Sequence, residues 1–478
     1  MKPADAPAAT PGEAPKEATR VEKSLWGLGG FGENMANSAL PSLANAIYQV
    51  GYGLNPVVLG WVMAASRIFD ALLDPVIGNW SDHARTRWGR RRPFVVCGGI
   101  LLAVTFAFLW LPPAGLSKNQ LALYLAVAAL LFYLSFTVFI IPFSALGLEM
   151  VTDYKARTRL FIFRLVPAFV ASLLVPTLYK FARSDFFGGN EMEGMRHIGV
   201  IIAVVILLTA LPAGIFCRER HAAGFAGKER LKLLAAIRET LRNKAFVILL
   251  GAVFLTFFGL FSAIIVYSNI NIYYICGGNK DLSGDIGANV GVIKGLGELA
   301  MLPVFGFLAV RIQKHRLAAM GLGISAAGYL LSWFFYTPAS PYLQLVAYLP
   351  ANLGLCACWM LNGSMMADIC DSDELATGRR REGLFSAVFA ICYKAGIASG
   401  ALFGNYLLHW SGVRGESVAG ASLVSLAPEV VSNIRLAYLL PPSLCYLGAA
   451  GFMIFYPLTQ ARVRAIRDTL EEGKAGKA

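Results

Sequence analysis

"RIFDALLDPVIGNWSDHARTRWGRRRPF", residues 67–94, places two carboxylates and an arginine inside an apolar helical stretch and follows them with a burst of positive charge. Arg67, Asp70 and Asp74 are spaced i, i+3 and i+7, so on an α-helix they share one face within about 60°. Their neighbours are apolar: Ile68, Phe69, Leu72, Leu73, Val76 and Ile77. Five arginines then crowd into residues 81–92 before Phe94 opens a second apolar run. Two apolar helices joined by a short basic connection read as two membrane spans with a loop on the cytoplasmic face. A charge at the centre of a span costs about 3 kcal/mol on the insertion scale, so three cost on the order of 9 before pairing. Charges kept at that depth face the bundle interior and mark an ion or substrate path.

The same signal runs along the whole chain. Its 478 residues are 56% hydrophobic and 15% charged, whereas a soluble domain is nearer ~25% charged. Apolar runs of about 20 residues recur, each long enough to cross a ~30 Å hydrocarbon layer as a helix. They are too continuous for the alternating pattern of a membrane barrel. Twelve spans are expected, near 25–50, 56–80, 93–113, 119–147, 160–182, 197–217, 245–274, 285–310, 317–337, 342–368, 384–411 and 433–457. An even number puts both tails on one side. Most of the 42 lysines and arginines lie in the tails and even-numbered connections, which places both termini in the cytoplasm. The net charge of +13 thus reports loop orientation, and no nucleic-acid partner is expected.

Residues 1–22 are rich in Ala, Pro and Glu and lack the apolar core of a cleaved signal peptide, so they read as a disordered cytoplasmic tail. The longest internal connection, 218–244, divides the spans into two sets of six, 23–217 and 245–457, with a second cytoplasmic tail at 458–478. Leu231, Leu234, Ile237 and Leu241 stand at helical spacing among basic residues, the pattern of an amphipathic helix lying on the membrane surface. The two halves echo each other. "PVIG" (75–78) and "PVFG" (303–306) each precede a basic connection, and Glu149 and Asp153 follow span 4 as Asp368 and Asp371 follow span 10. Similar offsets point to a duplicated six-helix unit, an arrangement in which substrate binds at the midplane between halves.

Three further features carry charge into the spans. Lys394, in span 11, is the natural partner of Asp70 and Asp74 from the other half. Arg164, near the start of span 5, can aim a guanidinium fork at a hydroxylated or anionic ligand, or reach the headgroups. Lys294 and Glu298, one turn apart in span 8, read as a mutually neutralising pair. "GLGGFG" (27–32) matches a dinucleotide fingerprint, but no strand or βαβ unit surrounds it, so small residues that let span 1 pack closely explain it better. The eight cysteines are scattered and suggest neither a zinc site nor a disulfide framework. No nucleophile–base arrangement and no Walker loop occur, which argues against an enzyme or an ATP-driven pump; no metal or organic cofactor is expected.

The stretch "DALLDPVIGNWSDHARTRWGRRRPF" (70–94) resembles the span 2–3 signature of the glycoside–pentoside–hexuronide:cation symporters, a family of the major facilitator superfamily that includes the melibiose permease. "GFGEN" (30–34), "IPFSALGLEM" (141–150), "DYKARTRLFIFR" (153–164), "ADICDSDELATGRRREG" (367–383) and Lys394 extend the likeness over nearly the whole chain. The resemblance implies an all-α major facilitator fold, twelve transmembrane helices in two pseudo-symmetric six-helix bundles. It implies that Asp70, Asp74 and Thr137 bind the coupling cation, with Arg67 and Lys394 as charge partners, and that Asn34, Arg164 and Trp359 line the sugar site. Asn34 and Ile140 replace acids that grip a galactoside in the melibiose permease, and Leu73 replaces an amide of sodium-using relatives.

The expected function is therefore symport of a sugar or glycoside with H+ or Na+ by alternating access, in the plasma membrane, with a bacterial inner membrane and a monomer the natural setting. The missing amide oxygen at Leu73 favours the proton, which one carboxylate can hold. A carrier of a lysolipid or other organic solute is the alternative, and a non-transporting membrane sensor a further one. Arg90 and Arg91 are expected to hold a cytoplasmic gate against Glu149, Asp153 or Asp371.

Overall fold

The computed structural model describes residues 18–151, 154–219, 238–379, 381–413 and 426–475. Local signals start the helices. Thr19 caps the first through a box with Glu22, Asn55 caps the second ahead of Pro56, and Ser117 caps the fourth through a box with Gln120. Asn190, Asn243 and Asn279 do the same for later ones.

The first half holds α1 (Arg20–Ala44, running on as a π-helical turn Asn45–Gly51), α2 (Pro56–His83), α3 (Arg92–Leu109), α4 (Lys118–Met150), α5 (Tyr154–Leu174, extended by Leu178–Ala182) and α6 (Glu191–Phe216). The second holds α7 (Lys244–Ile270, with a π turn Asn271–Ile275), α8 (Lys280–Arg311), α9 (Lys314–Phe335), α10 (Leu345–Leu353 and Leu355–Thr377), α11 (Glu382–Trp410) and α12 (Pro428–Ile454). Eleven of these segments are long and apolar enough to cross a membrane. The exception is α1, whose apolar run is interrupted by Glu33, Asn34 and Asn37 and which packs against α5 and α6. The twelve segments fall into two sets of six, as the resemblance implies.

Pro75 and Pro303, the prolines of the two echoing motifs, both lie inside their helices, α2 and α8. The glycines of "GLGGFG" serve close packing: a Cβ on Gly27 would stand 2.3 Å from the Phe163 carbonyl oxygen, and one on Gly30 2.6 Å from that of Arg164. Backbone thus meets backbone between α1 and α5. The second tail carries structure of its own. Gln460–Ala475 form a helix, α13, packed on α10, with Val463 and Ile466 buried. The surface helix expected over 231–241 lies outside the described residues up to 237, as does most of the first tail.

The halves meet where α2 packs on α11 and where α5 packs on α8. The start of α1 and the end of α12 lie at one end of the bundle. One set of polar links between halves sits at the opposite, distal end: Asn45 Nδ2 to Asn405 Oδ1 at 2.9 Å, Gln49 Nε2 to Asn269 Oδ1 at 2.8 Å, and Lys280 Nζ to Glu191 Oε1 at 2.8 Å. Arg183 to Asp281 at 2.6 Å and Lys180 to Asp285 at 3.0 Å complete the seal. These links close the molecule at its distal end.

Candidate functional site

The charged face of α2 looks onto α4 and α11. Asp70 is fully buried; its Oδ1 accepts from Thr137 Oγ1 at 2.7 Å, and its Oδ2 lies 2.9 Å from Lys394 Nζ. The same ammonium reaches Asp74 Oδ2 at 2.6 Å. Arg67 stands 3.4 Å from Asp70, donates to Asn37 Oδ1 at 3.0 Å, and lies over the Tyr133 ring at 4.9 Å. Two cations and two anions therefore cancel without any added ion. Lys394 comes from the second half and both aspartates from the first, so this one ammonium ties the halves together near mid-membrane. Asp74 Oδ1 is buried and has no donor among the described residues. An orphaned buried acceptor is costly unless something fills its place, and a proton or small cation suits a carboxylate oxygen.

A second cluster lies about 10 Å along α4, since Ser144 is seven residues beyond Thr137 at 1.5 Å per residue. Arg164 donates from Nε and Nη2 to one oxygen of Glu33, at 2.9 and 2.6 Å, and from Nη1 to Ser144 Oγ at 3.4 Å. Its guanidinium sits 5.1 Å from the Phe143 ring and 5.6 Å from that of Trp26. The side chain is thus turned inward onto Glu33 and Ser144. Glu33 is the partner that a reading of the sequence passes over. Its base lies 131 residues away, and only the approach of α1 to α5 through Gly27 and Gly30 brings them together. Glu33 and Asn37 are one turn apart on α1, so this helix touches both clusters.

Asn34 follows Glu33, and its Oδ1 is buried without a donor among the described residues. Trp359 on α10 is 53% exposed and packs edge-on against Phe257, which in turn packs on Tyr393 beside Lys394. Lys294 and Glu298 lie 3.3 Å apart. Beside Lys294 a void of about 200 Å3 opens between the halves below the distal seal, with Tyr267, Asn271 and Tyr348 in its wall.

The expected gate residues divide. Arg90 and Arg91 both reach Glu149 Oε1, at 2.5 and 2.8 Å, and Arg91 also reaches Asp82 at 2.6 Å. These contacts stay within the first half and pin the 2–3 connection to the end of α4. Asp371 is not with them: it pairs with Arg467 of α13 at 3.2 Å, next to an Asp368 held by Lys314 and Arg467. The tail helix supplies the base for this pair of acids. Asp153 lies outside the described residues.

Paired charges thus lie buried between two six-helix sets. The profile of the MFS/sugar transport protein family matches residues 25–460, and the chain belongs to that family, the group of glycoside–pentoside–hexuronide symporters. It is 24% identical to the "Uncharacterized symporter sll1374" of Synechocystis sp., over 94% of this chain and 96% of the relative. It is also 24% identical to the "Glucuronide carrier protein homolog" of Escherichia coli, over 92% and 93%. Among solved structures, that of a D-xylose-proton symporter superposes with a TM-score of 0.63 at 16% identity, covering 92% of this chain and 97% of the other.

Proposed function

We propose that the chain couples the passage of a sugar or glycoside to that of H+ or Na+ by alternating access. The observation that carries this reading is Lys394 bridging Asp70 and Asp74 across the interface between halves. A cation arriving at Asp74 Oδ1 competes with the ammonium for the same carboxylate. Once that carboxylate is neutralised, Lys394 loses part of its hold on α2, and the link between α2 and α11 changes strength. A ligand shifts a conformational equilibrium only through such a difference between states. The sugar site is assigned to Asn34, Arg164, Trp359 and, in addition, Glu33; relatives named as symporters and as a glucuronide carrier homolog support it. Leu73 contributes no oxygen to the cation shell, which favours the proton over sodium.

The basic connections favour a cytoplasmic location for both termini, and we read the protein as a monomer in a bacterial inner membrane. The test is thermodynamic linkage in purified protein. A sugar that raises the melting temperature raises it more when the coupling ion is present, and the ion gains affinity in the presence of sugar by the same factor. Protection by no sugar under any cation condition contradicts the reading. Linkage to sodium at fixed pH, with none to protons, overturns the preference for the proton alone.

A further inference from the structure

We propose that this chain accepts neutral polyhydroxylated solutes and rejects uronic acids, and that Glu33 sets the choice; the inference deepens the sugar-symport reading and rests on it. Four basic residues stand in the middle of spans, and each already has its own carboxylate: Arg67 with Asp70, Arg164 with Glu33, Lys294 with Glu298 and Lys394 with Asp74. Among the described residues in mid-span, no spare cation remains for an anionic substrate. Arg164 has the right shape to clamp a carboxylate, but its Nε and Nη2 both donate to Glu33, and Trp26 and Phe143 lie against its guanidinium. A uronate that took Arg164 would leave Glu33 unpaired in a largely buried place, and one that did not would itself be unpaired. Either way a desolvated charge lacks its partner.

The unused hydrogen-bonding capacity points the same way. Glu33 meets Arg164 through Oε2, so Oε1 still has lone pairs to offer, and the neighbouring Asn34 Oδ1 has no donor among the described residues. Acceptors call for donors. A hydroxyl donates; an ionised carboxylate only accepts. Glu33 thus does two things at once: it silences the arginine and presents an oxygen to a sugar hydroxyl.

Matched nitrophenyl glycosides test this directly: the glucoside, galactoside, mannoside and xyloside, with the glucuronide and galacturonide that replace the C6 hydroxymethyl group by a carboxylate. Binding to the full-length purified protein is measured at pH 7, where the uronates are ionised. The neutral member of a pair is expected to bind at least about a hundredfold more tightly than the acid. Glu33→Gln, which leaves Arg164 without its carboxylate, narrows or reverses that ratio by at least about tenfold, and Glu33→Asp preserves it. A wild-type protein that binds uronates as tightly as neutral glycosides overturns the inference and leaves sugar transport standing. A Glu33→Gln protein with wild-type melting behaviour and an unchanged ratio removes Glu33 from the role. Failure of every glycoside, neutral or acidic, to bind the wild type overturns the sugar reading itself, and this inference with it.

Discussion

Lys394 holds two carboxylates that stand one turn apart on α2 and would otherwise repel each other. Removing it leaves both without their shared cation. Breaking a buried ion pair from one side costs about 3–5 kcal/mol, and the 22% exposure of Asp74 moves Lys394→Met to the lower part of that range. Asp74→Asn in the same chain removes one of the stranded charges, so the double variant recovers part of the loss. Thermal unfolding of both single variants and the double one should give a coupling of about 1–3 kcal/mol; additive losses would mean that the two side chains do not interact. This cluster was legible in the sequence because three charges at i, i+3 and i+7 in an apolar stretch admit few explanations, and Lys394 was the one unassigned base facing them. Glu33 was not. It has no complement within its own span, and its partner becomes visible only when α5 lies against α1. The signal available was bookkeeping: one half held an unassigned base, Arg164, and an unassigned acid, Glu33.

At the scale of elements, the contact of α1 with α5 does what the charges cannot do for themselves. It brings backbone to backbone at Gly27 and Gly30 and so fixes where Glu33 meets Arg164. A side chain there has nowhere to go, because its neighbour is a carbonyl group and not a flexible tip. Gly27→Val should cost about 1–3 kcal/mol by overpacking and weaken sugar binding along with stability. Gly306, whose Cβ would meet nothing within 4 Å, supplies the contrast: Gly306→Ala should leave melting within about 0.5 kcal/mol of wild type. Equal melting of Gly27→Val and wild type would refute the packing argument. Spans were easily read, since all but α1 hold a long apolar run. The tail helix α13 was harder. Val463, Ile466 and Leu470 do recur at helical spacing, but they are few among charges, and what buries the first two is a surface of α10 that the sequence does not display.

The whole molecule is sealed at the distal end by amide pairs and ion pairs, and α2–α11 and α5–α8 form the contacts about which the halves can rock. No sequence pattern reports which end is closed, because the same residues must serve both states. Gln49→Ala with Asn405→Ala removes two of the distal links and should move the population towards a distally open form. Spin labels at Phe186 and Ala339, in distal connections of opposite halves, would then show a longer distance component than in wild type; an unchanged distribution would deny these links a part in the seal. What the seal serves is coupling, and accumulation tests that most directly. Reconstituted vesicles are loaded so that an imposed proton or sodium gradient is the sole driving force, and uptake of a bound glycoside is followed for wild type and Asp74→Asn. The account predicts that the wild type accumulates the glycoside above its outside concentration under one of the two gradients, whereas Asp74→Asn at most equilibrates it. Accumulation by Asp74→Asn to the wild-type level would contradict the role given to the Asp70–Asp74–Lys394 cluster.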